Sequence, residues 1–189
     1  MSRGRHPPAA GGRDRRPYRV GVTVRTIRRY GDPVLRTPAE AVTNFDDQLR
    51  GLVADLLETI DADPRGRAGL AAPQLGVGLR VFAYATAAGR GHLINPTVTH
   101  RDGEQTGMEA CLSVPGLSYP TTRAARVTVT GVDQHGAPVT VTETGFLARA
   151  LQHEVDHLDG MVYLDRLTGD ARRQALRAVR AAPWVVRPR

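Results

Sequence analysis

The sequence predicts an α+β domain, with mostly antiparallel strands packed around a metal-binding helix and a further helix toward each end. Three observations predict it. Segments of helical apolar period occur early, late and at the end of the chain. Short β-rich runs cluster between the first two, spaced as hairpins rather than alternating with helices. The late helical segment carries two histidines four residues apart, His153 and His157.

Taken in order, residues 1–21 are rich in Gly, Pro and Arg, show no apolar period, and are expected to form a disordered basic extension. A cleaved transit peptide would need more Ser, and the prolines work against the amphipathic helix it requires. A domain of residues 22–168 follows. Its first helix is expected from about Asn44 to Ile60, with Leu49, Leu52, Val53, Leu56 and Ile60 on one face and Asn44 as N-cap. An irregular turn over 61–69 leads to strands at 79–85 and 92–99, then a pair at 125–133 and 137–142 around a turn at Asp133–Gly136. The second helix is expected over Thr144–Leu158, stopped by Asp159–Gly160. A third, Gly169–Ala182, ends at Pro183 and begins a basic C-terminal helix and tail over 169–189.

A chain of 189 residues, 41% apolar and 24% charged, suits one soluble domain with a real core. No run approaches the roughly 20 apolar residues of a membrane helix, and no N-terminal stretch resembles a signal peptide. A single cysteine, Cys111, excludes a disulfide scaffold and favours a reducing cytoplasm. Such a cysteine is core filler, a nucleophile or a metal ligand. The net charge of +7 is carried by the ends, with nine Arg against one Asp in 1–29 and seven Arg against two Asp in 165–189. The stretch between is net acidic. Every basic residue is Arg. This basicity suggests nucleic acid, but no recognition motif accompanies it.

His-Glu-Val-Asp-His at 153–157 places His153 and His157 on one helix face, where two imidazoles can share one divalent ion. Glu154 can reach a water on that ion without ligating it. The alternative is an amphipathic helix with incidental histidines. The apolar residues before the motif, Phe146, Leu147, Ala150 and Leu151, suggest that the histidines continue a buried face, where unpartnered imidazoles would be costly. A catalytic site needs a third protein ligand. No His follows His157 and no Glu follows Glu154, leaving Asp159, Asp165 or, upstream, Cys111.

Three segments, GLAAPQLGV (69–77), EACLS (109–113) and QHEVDHLDG (152–160), together resemble the three motifs of the peptide deformylase family in kind, order and spacing. RYGDPVLR (29–36) and INP (94–96) extend the resemblance over roughly 24–168. The resemblance implies Cys111, His153 and His157 as ligands of one divalent metal ion, iron(II) as the family's ion, with zinc or another divalent ion also suited to the ligands. It implies Glu154 as general acid/base, and the Gln74 amide with the Leu112 backbone N–H as oxyanion donors. Gly69 would let the substrate backbone approach. The substrate would be an N-formylmethionyl peptide, its methionine in an apolar recess near Phe146 and Ala150.

Two positions depart from the family pattern. Arg67 stands for the first Gly of GxGLAAxQ, and Ala110 for the Gly of EGCLS. The Ala110 methyl would narrow the substrate groove, or clash if that position needs a positive φ.

Two other readings compete. A zinc endopeptidase would take its third ligand downstream of His157. A non-enzymatic basic metal- or nucleic-acid-binding protein would need neither Glu154 nor Gln74. On the third helix, Arg172, Arg173, Arg177 and Arg180 form a basic stripe opposite Ala171, Ala175 and Val179. The stripe is either a solvated face or an approach to ribosomal RNA.

Overall fold

The computed structural model describes residues 24–63, 68–87 and 89–185. The extension at 1–21 and Arg67 lie outside the described residues. The order is α1 (Asp47–Asp61), β1 (Gly69–Ala71), β2 (Val81–Thr86), β3 (Gly89–Asp102), β4 (Gln105–Cys111), β5 (Val114–Arg123), β6 (Arg126–Val132), β7 (Pro138–Thr144), α2 (Gly145–Leu158) and α3 (Gly169–Ala181). Short 3-10 turns punctuate it at Pro33–Arg36, Ala72–Leu75 and Tyr163–Arg166. Strands β1-β2-β3-β6-β7 form one antiparallel sheet in that order, and β4-β5 form a separate two-stranded sheet. This is the predicted α+β class. Among the described residues, no helix is long and apolar enough to cross a membrane.

The sheet buries one face against α2, where Phe82, Leu93, Val127 and Val129 meet Leu147, Leu151, Val155 and Leu158. A second cluster seats α1 on β1 and β2 through Leu52, Leu56, Val81 and Ala83. A third holds α3 on β5 and on Tyr163–Arg166 through Val114, Tyr163, Ala175 and Val179. Almost all of α2 from Leu147 to Leu158 is therefore inside the protein.

Boundaries shift for local reasons. The first helix starts after Asp46, not Asn44, because the Asp46 carboxylate accepts from the backbone N–H of Gln48 (3.0 Å) and Leu49 (3.1 Å). It runs one residue past Ile60, to Asp61, while α3 stops at Ala181 rather than Ala182. The strand expected at 79–85 occupies 81–86, and the one at 92–99 extends to 89–102. That longer strand bulges at Asn95, the only non-glycine residue with positive φ among those described. The Asn95 side chain accepts from the Val42 N–H and donates to the Val42 carbonyl, filling the place of a strand partner. The turn at Asp133–Gly136 forms as expected, with the Asp133 carboxylate accepting from the His135 and Ala137 N–H groups.

Strands β1, β4 and β5 lie in segments with no clear period-two pattern. β5 contains Pro115 and Pro120, which a central strand would exclude. Because β5 pairs only with β4, one of its edges is free of ladder bonds, and the prolines are accommodated.

Candidate metal and active site

The site forms where β4 meets α2. Along β4, Glu109 and Cys111 are buried while Met108 and Ala110 face outward, so the two buried residues share one side of the strand. Cys111 pairs with Val114 across a turn made by Leu112 and Ser113. On α2, His153 and His157 face β4 from inside the core, while Glu154 is buried against Gly69 of β1. Ligand atoms of Cys111, His153 and His157 lie within 4.8 Å of one another, and Cys111 Sγ is 3.2 Å from His157 Nε2.

Glu109 accepts from His153 Nδ1 at 3.0 Å. A carboxylate can only accept, so Nδ1 carries a proton, and Nε2 is the nitrogen that would coordinate an ion in place of its own proton. Arg123 holds Glu109 through two bonds, 2.8 and 3.0 Å, and reaches Asp156 at 2.5 Å. Arg166 then clamps Asp156 with bonds of 3.0 and 2.5 Å. Burial would raise the Glu109 pKa, but the bonds from His153 and Arg123 outweigh it and hold the carboxyl down at about 2.

Burial also opposes ionisation of Cys111, yet the neighbouring His157 and the bonds from His153 and His157 bring its thiol well below the ordinary value. Glu154 differs from Glu109. Burial dominates, only partly offset by His153 and His157, and its pKa is pushed up to about 7. Its Oε2 is buried with no protein hydrogen-bond partner among the described residues. A buried, unanchored carboxylate oxygen beside three soft donors fits a site built around an ion and a reacting molecule.

Gln74 is 2% exposed and fixed by its surroundings. Its Oε1 accepts from the Ala71 N–H at 2.9 Å, which turns Nε2 toward Cys111 Sγ (3.6 Å) and Ser113 Oγ (3.3 Å). Gly69 lies against Glu154, since a Cβ there would come within 2.6 Å of Glu154 Oε1.

These groups open into a cleft of about 680 Å³, which Leu112 and the Pro115–Leu117 bulge of β5 also line. Ala150 is buried in its wall. Phe146 stands at its edge, 60% exposed, and so does not continue the buried face as its place in the apolar run implied. Ala110 lines the cleft in ordinary extended backbone without a positive φ, so of its two expected effects only the narrowing applies.

All ten sequence-predicted site residues border this one region. The competing downstream ligands do not. Asp159 pairs with Arg80 at 2.8 Å and Asp165 with Arg36 at 2.5 Å. Sequence reasoning missed Glu109, Arg123, Asp156 and Arg166. The one available signal was the position of Glu109, two residues before Cys111, which puts both on one side of any extended segment.

An α+β fold with a thiolate and two imidazoles beside a buried carboxylate, in a cleft open to a ligand, defines a metallohydrolase. The model of the polypeptide deformylase family matches residues 24–173. The chain is 52% identical over 163 residues to the peptide deformylase of Acidothermus cellulolyticus, covering 86% of this chain and 89% of that one. It is 50% identical over 171 residues to that of Parafrankia sp., covering 89% and 92%. The crystal structure of peptide deformylase from Thermus thermophilus superposes with a TM-score of 0.78 at 41% identity, covering 84% of this chain and 94% of that one. The chain belongs to the peptide deformylase family, enzymes that remove the formyl group from nascent polypeptides.

Proposed function

We propose that this deformylase binds one divalent ion through Cys111 Sγ and the imidazoles of His153 and His157, and hydrolyses the formamide of N-formylmethionyl peptides in the cytoplasm. The observation that carries this is the Glu154 carboxylate, buried beside all three donors with one oxygen unengaged among the described residues. Iron(II) is the ion the family resemblance implies, and zinc suits the same donors. When bound, such an ion supplies Lewis acidity, lowering the pKa of water from 15.7 toward about 7.

Glu154 takes the proton of the attacking water and passes it to the departing nitrogen as the C–N bond breaks, yielding formate and a free amine. Burial, which raises its pKa in the metal-free site, favours a group that can take up a proton and release it again. Gln74 Nε2, oriented by the Ala71 N–H, and the Leu112 backbone N–H donate to the carbonyl oxygen as its charge develops. Gly69 gives the peptide backbone room beside Glu154. The methionine side chain lies along Ala150 and Phe146, and the Ala110 methyl narrows the groove opposite.

The exposed arginines of α3 provide an approach to ribosomal RNA that is independent of base sequence. The decisive assay is anaerobic purification, metal analysis, and hydrolysis of a formyl-Met tripeptide beside its acetyl twin. Stoichiometric metal with a strong formyl preference is expected, because the formyl carbon bears only hydrogen. Equal rates on both substrates would refute the deformylase specificity.

A further inference from the structure

Arg149 lies one turn before His153 on α2 and lines the substrate cleft. Its guanidinium stacks over the Phe146 ring, 5.6 Å from the centroid. On its other side it lies flat on β4 at Gly107, where a Cβ would fall 1.5 Å from one of its terminal nitrogens. Only a glycine leaves space for that placement. Its Nε is buried and has no hydrogen-bond partner among the described residues. Unlike Arg123 and Arg166, Arg149 forms no ion pair with any described residue. The guanidinium is thus held in position by packing and by the Phe146 ring, with no carboxylate paired to it among the described residues.

The cleft's other charged groups sharpen the contrast. Glu109 is committed to His153 and Arg123, Glu154 is buried on the floor, and Asp63 is buried with an interaction of its own. Arg29, exposed on the cleft lining, adds a second cation without an ion-pair partner among the described residues. The free charge facing a bound peptide is therefore positive. Gly107 is four positions before Cys111 on β4, so at about 3.3 Å per residue Arg149 stands roughly 13 Å along the strand from the donor cluster. An extended peptide with its formyl group at that cluster brings its second or third residue to this distance.

We infer that Arg149 is a specificity-determining residue that favours formyl-methionyl peptides with an acidic side chain at the second or third position. This rests on the deformylase reading of the site and adds to it a charge preference beyond methionine. A charge-assisted bond from a guanidinium with unfilled donors is stronger than a neutral one. At a half-open cleft wall, an effect on the order of tenfold follows.

The test uses C-terminally amidated peptides, so that no terminal carboxylate competes: formyl-Met-Glu-Ala, formyl-Met-Ala-Glu and the two matching Lys peptides. The holoenzyme is compared with R149M, which keeps the packing stem, R149K, which keeps the charge, and R29Q. Wild-type kcat/KM is expected to favour at least one Glu peptide over its Lys counterpart by roughly tenfold at low salt, and less at high salt. R149M should lose most of that ratio, while R149K and R29Q should retain much of it. The same order should appear in calorimetric binding of the deformylated peptide amides, which needs no turnover. An unchanged Glu/Lys ratio in R149M, in kinetics and in binding, would overturn the proposal and leave Arg149 as packing for Phe146. Failure of wild type to release formate from any peptide would instead overturn the deformylase reading, with the binding series still deciding the charge preference.

Discussion

Gly69→Ala tests how finely the Glu154 carboxylate must be placed. The backbone at Gly69 has no positive φ, so alanine adopts it without strain and the only penalty is steric. The new methyl would meet Oε1 at 2.6 Å, Cγ at 2.7 Å and Cδ at 2.9 Å of Glu154. Restoring ordinary contact at 3.4 Å displaces the carboxylate by about 0.8 Å. Glu154 is enclosed by α2 and β1, so the overpacking should cost about 1–3 kcal/mol. For a domain of this size that lowers Tm by about 2–4 °C per kcal/mol. A misplacement near 1 Å costs roughly 10²-fold in rate, so kcat on a formyl-Met tripeptide should fall by about two orders of magnitude with metal content unchanged. Adding Glu154→Asp removes the methylene that the alanine strikes. The double variant should regain stability but not rate, because the shortened acid no longer reaches. If Gly69→Ala lowers Tm yet keeps kcat within twofold of wild type, the position of Glu154 does not govern turnover.

Glu154→Gln should retain the metal by elemental analysis and lose most turnover, since an amide cannot accept the water proton. Gln74→Leu should lower kcat by roughly 10²–10³-fold with a smaller change in KM, as for loss of one oxyanion donor. His92 Nε2 accepts from the Gln134 N–H at 3.1 Å, and burial holds its pKa below the ordinary 6.5 despite Asp133. The unfolded chain therefore takes up this proton first, and the stability His92 contributes falls as pH drops from about 6.5 through its folded pKa. NMR titration of the His92 ring should show a midpoint below 6.5. Arg177 and Arg180 are exposed and unpaired among the described residues, whereas Arg173 pairs with Asp170. Reversing both to Glu should weaken salt-sensitive co-sedimentation with ribosomes without altering kcat on a tripeptide, and unchanged co-sedimentation would leave α3 a solvated face.

Much of the site was legible in the sequence because its chemistry is local. His153, Glu154 and His157 follow from helical spacing, and the apolar run before them places α2 inside. Cys111 emerged by residue type and by resemblance, not by periodicity. β4 and β5 were illegible because neither alternates strongly, and their prolines and glycines serve a free edge and a bulge. The bracing of the candidate ligands was hidden for a different reason. Glu109, Arg123 and Asp156 are 14 and 33 residues apart, and buried charges at such separations are paired only by the fold. Arg149 was passed over because an arginine in an amphipathic helix reads as a solvent-facing residue until the cleft beside it is seen.

The Arg123 side chain has a consequence for how the protein matures. It fastens β4, which carries the thiol, to α2, which carries both imidazoles, through Glu109 on one side and Asp156 on the other. Each of those elements is also embedded in apolar contacts of its own. The three candidate ligands are thus held together by bonds within the protein, in contrast to small domains that fold only around zinc. For a site braced in this way, synthesis and metallation would be separable events: the polypeptide would reach its native shape first and take up or exchange a divalent ion without unfolding.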